Sequence, residues 1–230
     1  MSESDKKLPS CIDCHSSHTI SRTGEEGFKL AITTQCGECH KDVTETYFET
    51  FHGKVSKLGF AGAAKCYDCH GSHDILPPSE PASHLSRSNI IQTCAQCHPG
   101  SNRRFAGYLT HATHHDKDKY PILYYTFWFM STLLIGTLTL AGTHTLLWLP
   151  RSFQAMKQHK KIEAKPHRLE FKRFTRRQRQ MHILVVISFL GLALTGMTLK
   201  FSYLAWAQFL SKMFGGFEAA SFVHRVCAVI

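Results

Sequence analysis

Four Cys-x-x-Cys-His units lie within residues 11–98, and they constrain this chain more than any other feature. Eight of the nine cysteines belong to these units, and a disulfide framework would not place a histidine directly after every second cysteine. The pattern is typical of covalent c-type haem attachment, in which two thiols bond to the porphyrin and the histidine binds the iron. The residues predicted to do this are Cys11, Cys14, His15, Cys36, Cys39, His40, Cys66, Cys69, His70, Cys94, Cys97 and His98.

Structural zinc is the competing hypothesis, because Cys-x-x-Cys pairs also build tetrahedral thiolate sites. Zinc leaves the histidine after each pair unexplained, as well as the long apolar segments further along the chain. Residues 1–119 contain few sustained apolar runs, and a region of that size needs something to fill its interior. Four covalent haem c groups would fill it, and haem is therefore the preferred hypothesis.

The four units form a two-haem module that is present twice. Residues 11–20 match residues 66–75 at an offset of 55, and residues 36–40 match residues 94–98 at an offset of 58. Repetition of this kind is an architectural signal. It sorts the other histidines into candidates for the second, distal side of each iron, which are His18, His52, His73 and His111, and expected surface residues, which are His84, His114 and His115.

The position of a candidate relative to the iron ligand limits which haem it can reach. His18 and His73 each follow that ligand by three residues and leave from the same side of the ring, so we expect them to bind a neighbouring haem. An iron held by two histidines has no free position for a substrate and passes electrons. This surplus of histidine argues against a nitrite- or sulfite-reducing site, and no catalytic residue is predicted.

Apolar segments follow the cysteine-rich region. No charged residue occurs between Ile122 and Leu149, and aromatic residues flank this run at both ends, as they do in membrane helices that need about 20 apolar residues. A second run covers Ile183 to Leu199, and a third begins near Phe222. The fold class predicted is mainly α with much irregular structure: a haem-packed multihaem cytochrome c domain and an incomplete transmembrane helical bundle.

Charge is concentrated between the first two apolar runs. Residues 151–179 carry eleven basic side chains against two acidic ones, which favours a cytoplasmic loop over a nucleic-acid patch. Covalent haem attachment takes place on the opposite, periplasmic side of the bacterial inner membrane. We expect a periplasmic tetrahaem domain at 1–119, a first transmembrane helix at 120–150, a cytoplasmic loop at 151–180 and a partial cytochrome b-type membrane domain at 181–230.

The two ends of the sequence indicate a fragment. Residues 1–10 are polar and contain no signal peptide, although the region behind them must be exported, and the sequence stops inside an apolar run. We therefore expect further residues on either side.

Ionisable residues within membrane helices are functional candidates by default. His182 opens the second apolar run and His224 opens the third. Three roles are considered for His144 in the first run: a haem ligand, a quinone contact and a helix-packing residue. The last two are the preferred interpretations. Small residues (Gly191, Thr195 and Gly196) would admit a macrocycle or allow ordinary helix packing.

The segment Arg179-x-x-His182, followed by Phe-Leu-Gly-Leu-Ala-Leu-Thr-Gly-Met and Phe-Val-His224-Arg, resembles the start of the dihaem cytochrome b subunits of formate dehydrogenases and Ni-Fe hydrogenases. The resemblance implies that His182 and His224 each bind one haem b, with the remaining ligands outside this chain, and that a quinone, menaquinone being the candidate, binds near one haem. The segments Phe51-His52-Gly53-Lys54 and Ala63-Ala64-Lys65-Cys66 resemble doubled multihaem c cytochromes.

Together these features predict electron transfer between membrane quinone and periplasmic redox proteins in anaerobic respiration. Two alternatives stay open. One is a terminal multihaem reductase, and the other is a subunit that anchors a catalytic oxidoreductase such as a hydrogenase or formate dehydrogenase in the lipid. Whether the chain is itself an enzyme is left open, and nucleic acid is not an expected partner.

Overall fold

The chain is mainly helical, as predicted, in the computed structural model, which describes residues 9–162 and 173–230. No strand occurs among these residues, and turns and irregular segments connect the short helices of the cysteine-rich region. The first eight residues, and residues 163–172 of the predicted basic loop, lie outside the described residues. The helices are α1 (Cys11–His15), α2 (Glu26–Cys39), α3 (Lys41–Glu49), α4 (Phe51–Lys57), α5 (Cys66–His70), α6 (Ile90–Ala95), α7 (Arg103–Ala106), α8 (Pro121–Ile162), α9 (Arg176–Lys200), α10 (Ala205–Met213) and α11 (Phe217–Val229).

The backbone divides into two compact units. Met1–Ala112 and His182–Ile230 form the first, and Thr113–Met181 forms the second. The first unit therefore combines the cysteine-rich region with the segment expected to belong to a cytochrome b-type domain.

The sequence repeat is reproduced in local structure at α1 and α5. The Asp13 carboxylate accepts from the backbone N–H of Ser10 at 2.7 Å, and the Asp68 carboxylate accepts from that of Lys65 at the same distance. An acid that reaches back three residues in this way fixes the start of a helix. Each helix also ends at a residue with positive φ, 64° at Ser16 and 82° at Gly71.

Helices α2, α3 and α4 pack in succession, and Thr50 forms the corner between the last two. The Thr50 hydroxyl donates to the carbonyl of Tyr47 and accepts from the N–H of Gly53, which caps α4. A Cβ added at Gly53 would lie only 2.2 Å from the Tyr47 carbonyl oxygen. The close approach of the two helices therefore requires glycine directly after His52.

Few apolar side chains are fully buried in the cysteine-rich region. Among its described residues they are Ile32, Tyr47, Val55, Leu58 and Ala63. More than a hundred residues with so small an apolar core match the expectation that aliphatic packing alone does not hold this region together.

The second unit is dominated by α8, whose segment Pro121–Gln158 is long and apolar enough to cross a membrane. Proline at the first helical position suits a helix start. The predicted loop at 151–180 begins differently in the structure, because α8 continues through Pro150 to Ile162. Proline at this point removes a single backbone hydrogen bond, and the residues after it are good helix formers.

Helix α9 is the second helix long and apolar enough to cross a membrane. The connection after it contains the amphipathic helix α10, which buries Ala207 and Ser211 and exposes Trp206, Phe209 and Met213. Helix α11 begins five residues before the expected start at Phe222.

Candidate functional site

Each Cys-x-x-Cys-His unit places its histidine one helical turn after its first cysteine. The backbone N–H of His40 bonds to the Cys36 carbonyl at 2.9 Å, and that of His98 bonds to the Cys94 carbonyl at 2.9 Å. The other two units are short helices, α1 and α5. All eight thiols are free, so both sulfur atoms of every unit can still react.

Electrostatic contacts show that units adjacent in sequence are also adjacent in space; they are numbered 1 to 4 along the chain. Burial raises the pKa of Cys14, and the neighbouring thiol of Cys36 raises it further, so units 1 and 2 are neighbours. A hydrogen bond between the thiols of Cys36 and Cys66 raises the pKa of the first and lowers that of the second, which joins units 2 and 3. Burial, and then Cys94, raises the pKa of Cys69, which joins units 3 and 4.

Three of the four histidines predicted to bind iron lie close to a second imidazole. The ring centres are 6.2 Å apart for His15 and His73, 6.4 Å for His70 and His111, and 6.0 Å for His98 and His52. Two imidazoles on opposite sides of one metal ion have ring centres roughly 6 Å apart, because each nitrogen lies about 2 Å from the metal and about 1 Å from its ring centre. The residues therefore fit a group that binds one histidine on each face.

Two of these pairs connect the halves of the sequence repeat. His15 in the first half faces His73 in the second, and His98 in the second half faces His52 in the first. The third pair, His70 and His111, lies within the second half. His73 thus lies opposite the ligand of another unit, whereas the expectation that it binds a neighbouring haem stays a prediction.

Burial keeps two of the paired imidazoles neutral. It lowers the pKa of His52 and that of His70, and in each case the facing imidazole, His98 or His111, lowers the pKa further. Only a neutral imidazole offers a nitrogen lone pair to a metal.

A threonine orients His111 within its pair. The Thr46 hydroxyl donates its one proton to the Val43 carbonyl at 2.9 Å and lies 3.1 Å from Nδ1 of His111. With its proton committed to Val43, the hydroxyl accepts from Nδ1–H of His111, which fixes the orientation of the ring. Support of this kind is common for metal-binding histidines.

Other histidines have different surroundings. His18 is exposed, and neither it nor His40 has an aromatic ring packed against it in the described part of the chain. The role of His18 as a distal ligand stays a prediction. His84 forms an ion pair with Asp74 at 2.9 Å. In the second unit, the ring of His114 packs against Phe127 with centres 3.8 Å apart.

A second threonine orients His224 in the membrane segment. The Thr195 hydroxyl lies 2.8 Å from Nδ1 of His224 and donates to the Gly191 carbonyl at 2.6 Å. The same reasoning gives Nδ1–H as the donor and leaves Nε2 of His224 free to bind a metal. His182 and His144 are both exposed.

Two of the small residues of α9 have defined neighbours. A Cβ added at Gly191 would lie 2.4 Å from Sγ of Cys227, and one added at Gly196 would contact the ring of His224 at 3.6 Å. The Ser188 hydroxyl also donates to the Cys227 carbonyl. At Gly191, close packing of α9 against α11 is therefore the role that the structure supplies.

The zinc hypothesis requires three or four ligand atoms close together. Within the described ranges, no three thiol or imidazole ligand atoms of the four units lie within 4.8 Å of one another. A tetrahedral site needs such a group. Imidazole pairs with ring centres 6.0 to 6.4 Å apart fit a haem iron better.

Sequence reasoning missed the two threonines and a contact made by α11. Thr46 and Thr195 have no sequence signature of their own, because a threonine in a helix bonds most often to its own backbone. The ring of Phe217 lies 6.0 Å from that of Phe51 and 5.7 Å from that of Phe60, and this contact joins α11 to the cysteine-rich region. It depends on tertiary structure that no local pattern encodes.

No family model, curated protein or solved structure matches this chain.

Proposed function

We propose that this protein transfers electrons between the membrane quinone pool and periplasmic redox partners in anaerobic respiration, using b-type and c-type haems. The observation that carries the proposal is the set of three imidazole pairs with ring centres 6.0 to 6.4 Å apart, each containing the histidine of a Cys-x-x-Cys-His unit. Such pairs suit an iron with both axial positions occupied. Haem supplies one-electron redox chemistry when it is bound.

The chain's residues divide into three roles in this proposal. The eight cysteines of the units attach the four c-type groups, and His15, His40, His70 and His98 bind the irons from the first side. His73, His111 and His52 bind the irons of His15, His70 and His98 from the second side, and His18 is the candidate that remains for His40. Filled axial positions exclude substrate, so the c-type part conducts electrons and performs no bond chemistry.

His224 and His182 are the haem b ligands of the proposal, by resemblance. The orientation of His224 by Thr195 supports the first assignment, because it leaves one ring nitrogen free toward a metal. Two helices able to cross a membrane, together with the basic residues 151–179 between their apolar parts, support a multipass inner-membrane protein with its haem c region in the periplasm.

Haem content is the first test. Purified protein from a host with c-type maturation is expected to give a c-type pyridine haemochrome spectrum equivalent to four haems per chain, and a mass that includes four covalent porphyrins. Chelators that strip zinc should leave both results unchanged. A colourless protein with the mass of the bare polypeptide would refute the proposal.

Ligand pairing is the second test. Electron paramagnetic resonance of oxidised His73→Ala should show one c-type haem in four converted from low spin to high spin, because the iron of His15 loses its second ligand. His84→Ala is the matched control, since His84 is already paired with Asp74, and its spectrum should equal the wild type. A low-spin spectrum in His73→Ala would contradict the pairing.

One observation favours a second candidate function. His40 has no ring opposite it among the described residues, whereas the other three iron-ligand histidines do. An iron with an open sixth position could bind a small substrate such as nitrite, as a terminal reductase requires. A high-spin signal in the wild-type protein that changes when nitrite is added would support this candidate, and four low-spin signals would exclude it.

A further inference from the structure

Helix α11 connects the membrane segment to one part of the cysteine-rich region. The ring of Phe217, at its first residue, packs between those of Phe51 and Phe60 at 6.0 and 5.7 Å. Burial, and then repulsion from Lys200 at the end of α9, lowers the pKa of Lys54 in α4, so these two like charges lie near each other. Phe51 and Lys54 both belong to α4, the helix that carries His52.

Ring contacts continue from this junction to unit 4. The ring of Phe51 lies 6.5 Å from that of His52, and the ring of His52 lies 6.0 Å from that of His98. Phe105 also packs against His98, with ring centres 4.9 Å apart. A continuous series of aromatic rings therefore leads from the start of α11 to the imidazole pair of unit 4.

The same helix carries His224. Seven residues separate Phe217 from His224, which corresponds to about 10 Å of helix rise. A haem held at His224 and one held between His52 and His98 would thus be connected by one rigid helix and the rings of Phe217 and Phe51. Within the described residues, no ring contact joins the histidines of units 1, 2 or 3 to α9, α10 or α11.

We infer that unit 4 is the membrane end of the haem c array and unit 1 its outer end, so that electrons cross between the membrane segment and the array at the His52–His98 pair. The ring contacts carry this assignment: among the described residues, those of the His52–His98 pair lead to Phe217 on α11, whereas those of the His15–His73 pair reach only Phe28. This inference rests on the proposed function and adds to it the order in which the sites are used.

The overall redox step balances with a naphthoquinol as reductant. Its oxidation to the quinone releases two electrons and two protons, two ferric irons take one electron each, and the protons pass to water. A periplasmic redox protein then reoxidises the irons one electron at a time.

The test compares two ligand changes at opposite ends of the array, His52→Met and His73→Met. Methionine in place of one histidine raises the potential of the iron that it binds. An electron that reaches such an iron first is held there, so the sites beyond it fill slowly. Potentiometric titration should give one raised c-type potential in each variant, and dithionite should reduce all four haems in both.

Stopped-flow reduction of the membrane-bound protein by menadiol then distinguishes the ends. In His52→Met, one c-type haem should be reduced at the wild-type rate and the remaining three about tenfold more slowly. In His73→Met, the other three should keep rates within about twofold of the wild type. The opposite assignment, or equal slowing in both variants, would overturn the inference. If menadiol reduces no c-type haem in the wild type, the quinone part of the proposed function fails instead.

A measurement without quinol decides the order in that case. Phe217→Ala should change the paramagnetic resonance g-values of one low-spin haem, and that signal should be the one altered in His52→Met. Phe209→Ala is the matched control, because its side chain is 65% exposed on α10 and has no ring contact among the described residues. If Phe217→Ala instead changed the signal that His73→Met alters, or changed no signal, the proposed connection between α11 and unit 4 would be refuted.

Discussion

Replacing Thr195 by Val is expected to weaken haem b binding at His224 without disturbing the c-type haems. The Thr195 side chain is 5% exposed and lies 2.8 Å from Nδ1 of His224. Valine has nearly the same shape, so packing is retained while the hydroxyl is lost. The Nδ1–H group of the half-buried His224 then loses the acceptor that Thr195 supplied.

The size of the effect follows from this geometry. A buried donor without a partner costs about 1–3 kcal/mol, which corresponds to roughly 5- to 150-fold in an equilibrium constant. Removing the outer partner of a metal-binding histidine costs about 10- to 100-fold in affinity, in the same range. The hydrogen bond to Gly191 should contribute little to this loss, because that carbonyl also accepts a helical N–H.

The c-type haems of the proposed function would provide an internal standard for the assay. The ratio of b-type to c-type absorbance in reduced-minus-oxidised spectra reports haem b per chain, and it should fall in Thr195→Val and recover in Thr195→Ser. Thr198→Val is the control, since Thr198 is 1% exposed and donates to the Thr195 carbonyl at 2.7 Å. An unchanged ratio and an unchanged haem b potential in Thr195→Val would refute the orienting role.

Two further predictions concern the packing around His52 and unit 3. Gly53→Ala should destabilise the protein by about 1–3 kcal/mol or more in a thermal melt followed by circular dichroism, because the new Cβ would clash with backbone atoms of Tyr47 and Phe48. Gly27→Ala is the control. Its Cβ meets nothing within 4 Å, so this variant should be neutral or stabilising in the same melt. Tyr47→Phe should lower the melting temperature by about 2–4 °C, since the buried hydroxyl donates to the Ala64 carbonyl at 2.7 Å and its loss costs about 1 kcal/mol. Burial raises the pKa of Tyr47 above its ordinary value, so the native state retains that proton while the unfolded chain loses it, and stability should fall as the pH rises above about 10. Tyr47→Phe should show a smaller fall in that range, and an identical pH profile would contradict the assignment.

Local structure followed the sequence where the chain repeats itself. Asp13 and Asp68 occupy equivalent positions and make equivalent caps, and Ser16 and Gly71 both end their helices with a positive φ. These features depend on a few neighbouring residues, and a sequence comparison can therefore predict them. The two helices able to cross a membrane were predictable for the same reason, because an uncharged apolar run is a local property.

Partner choice among the histidines could not be predicted in this way. His18 and His73 are equivalent in sequence and both are exposed, yet among the described residues only His73 has a ring, that of His15, close to its own. The repeat alone would treat the two alike. Tertiary contacts decide between them, and contacts such as Thr46 with His111 join residues 65 positions apart.

The role of the small residues in α9 also could not be predicted from the sequence alone. Gly191 was compatible with a macrocycle or with helix packing, and Sγ of Cys227 occupies the space beside it. A glycine in the sequence indicates only that another group packs closely against it, and the identity of that group depends on which helix packs there. Helix α8 likewise continues beyond the expected bound at residue 150, because the hydrogen bond that Pro150 lacks does not stop a helix whose other bonds remain.

Two of the imidazole pairs contain one histidine from each half of the sequence repeat, and this bears on what stabilises the cysteine-rich region. Unit 1 and unit 4 each face a histidine from the other half, so neither half could complete all of its own iron sites if it were separated from the other. The apolar core is too small to hold the halves in register, since only five of its described apolar side chains are fully buried. Bonds from each half to irons attached in the other would supply the missing long-range connections, and they would close loops of tens of residues that are costly to order in any other way. The same bonds would fix the spacing between successive haems, and the duplicated module would therefore act as one conductor and not as two.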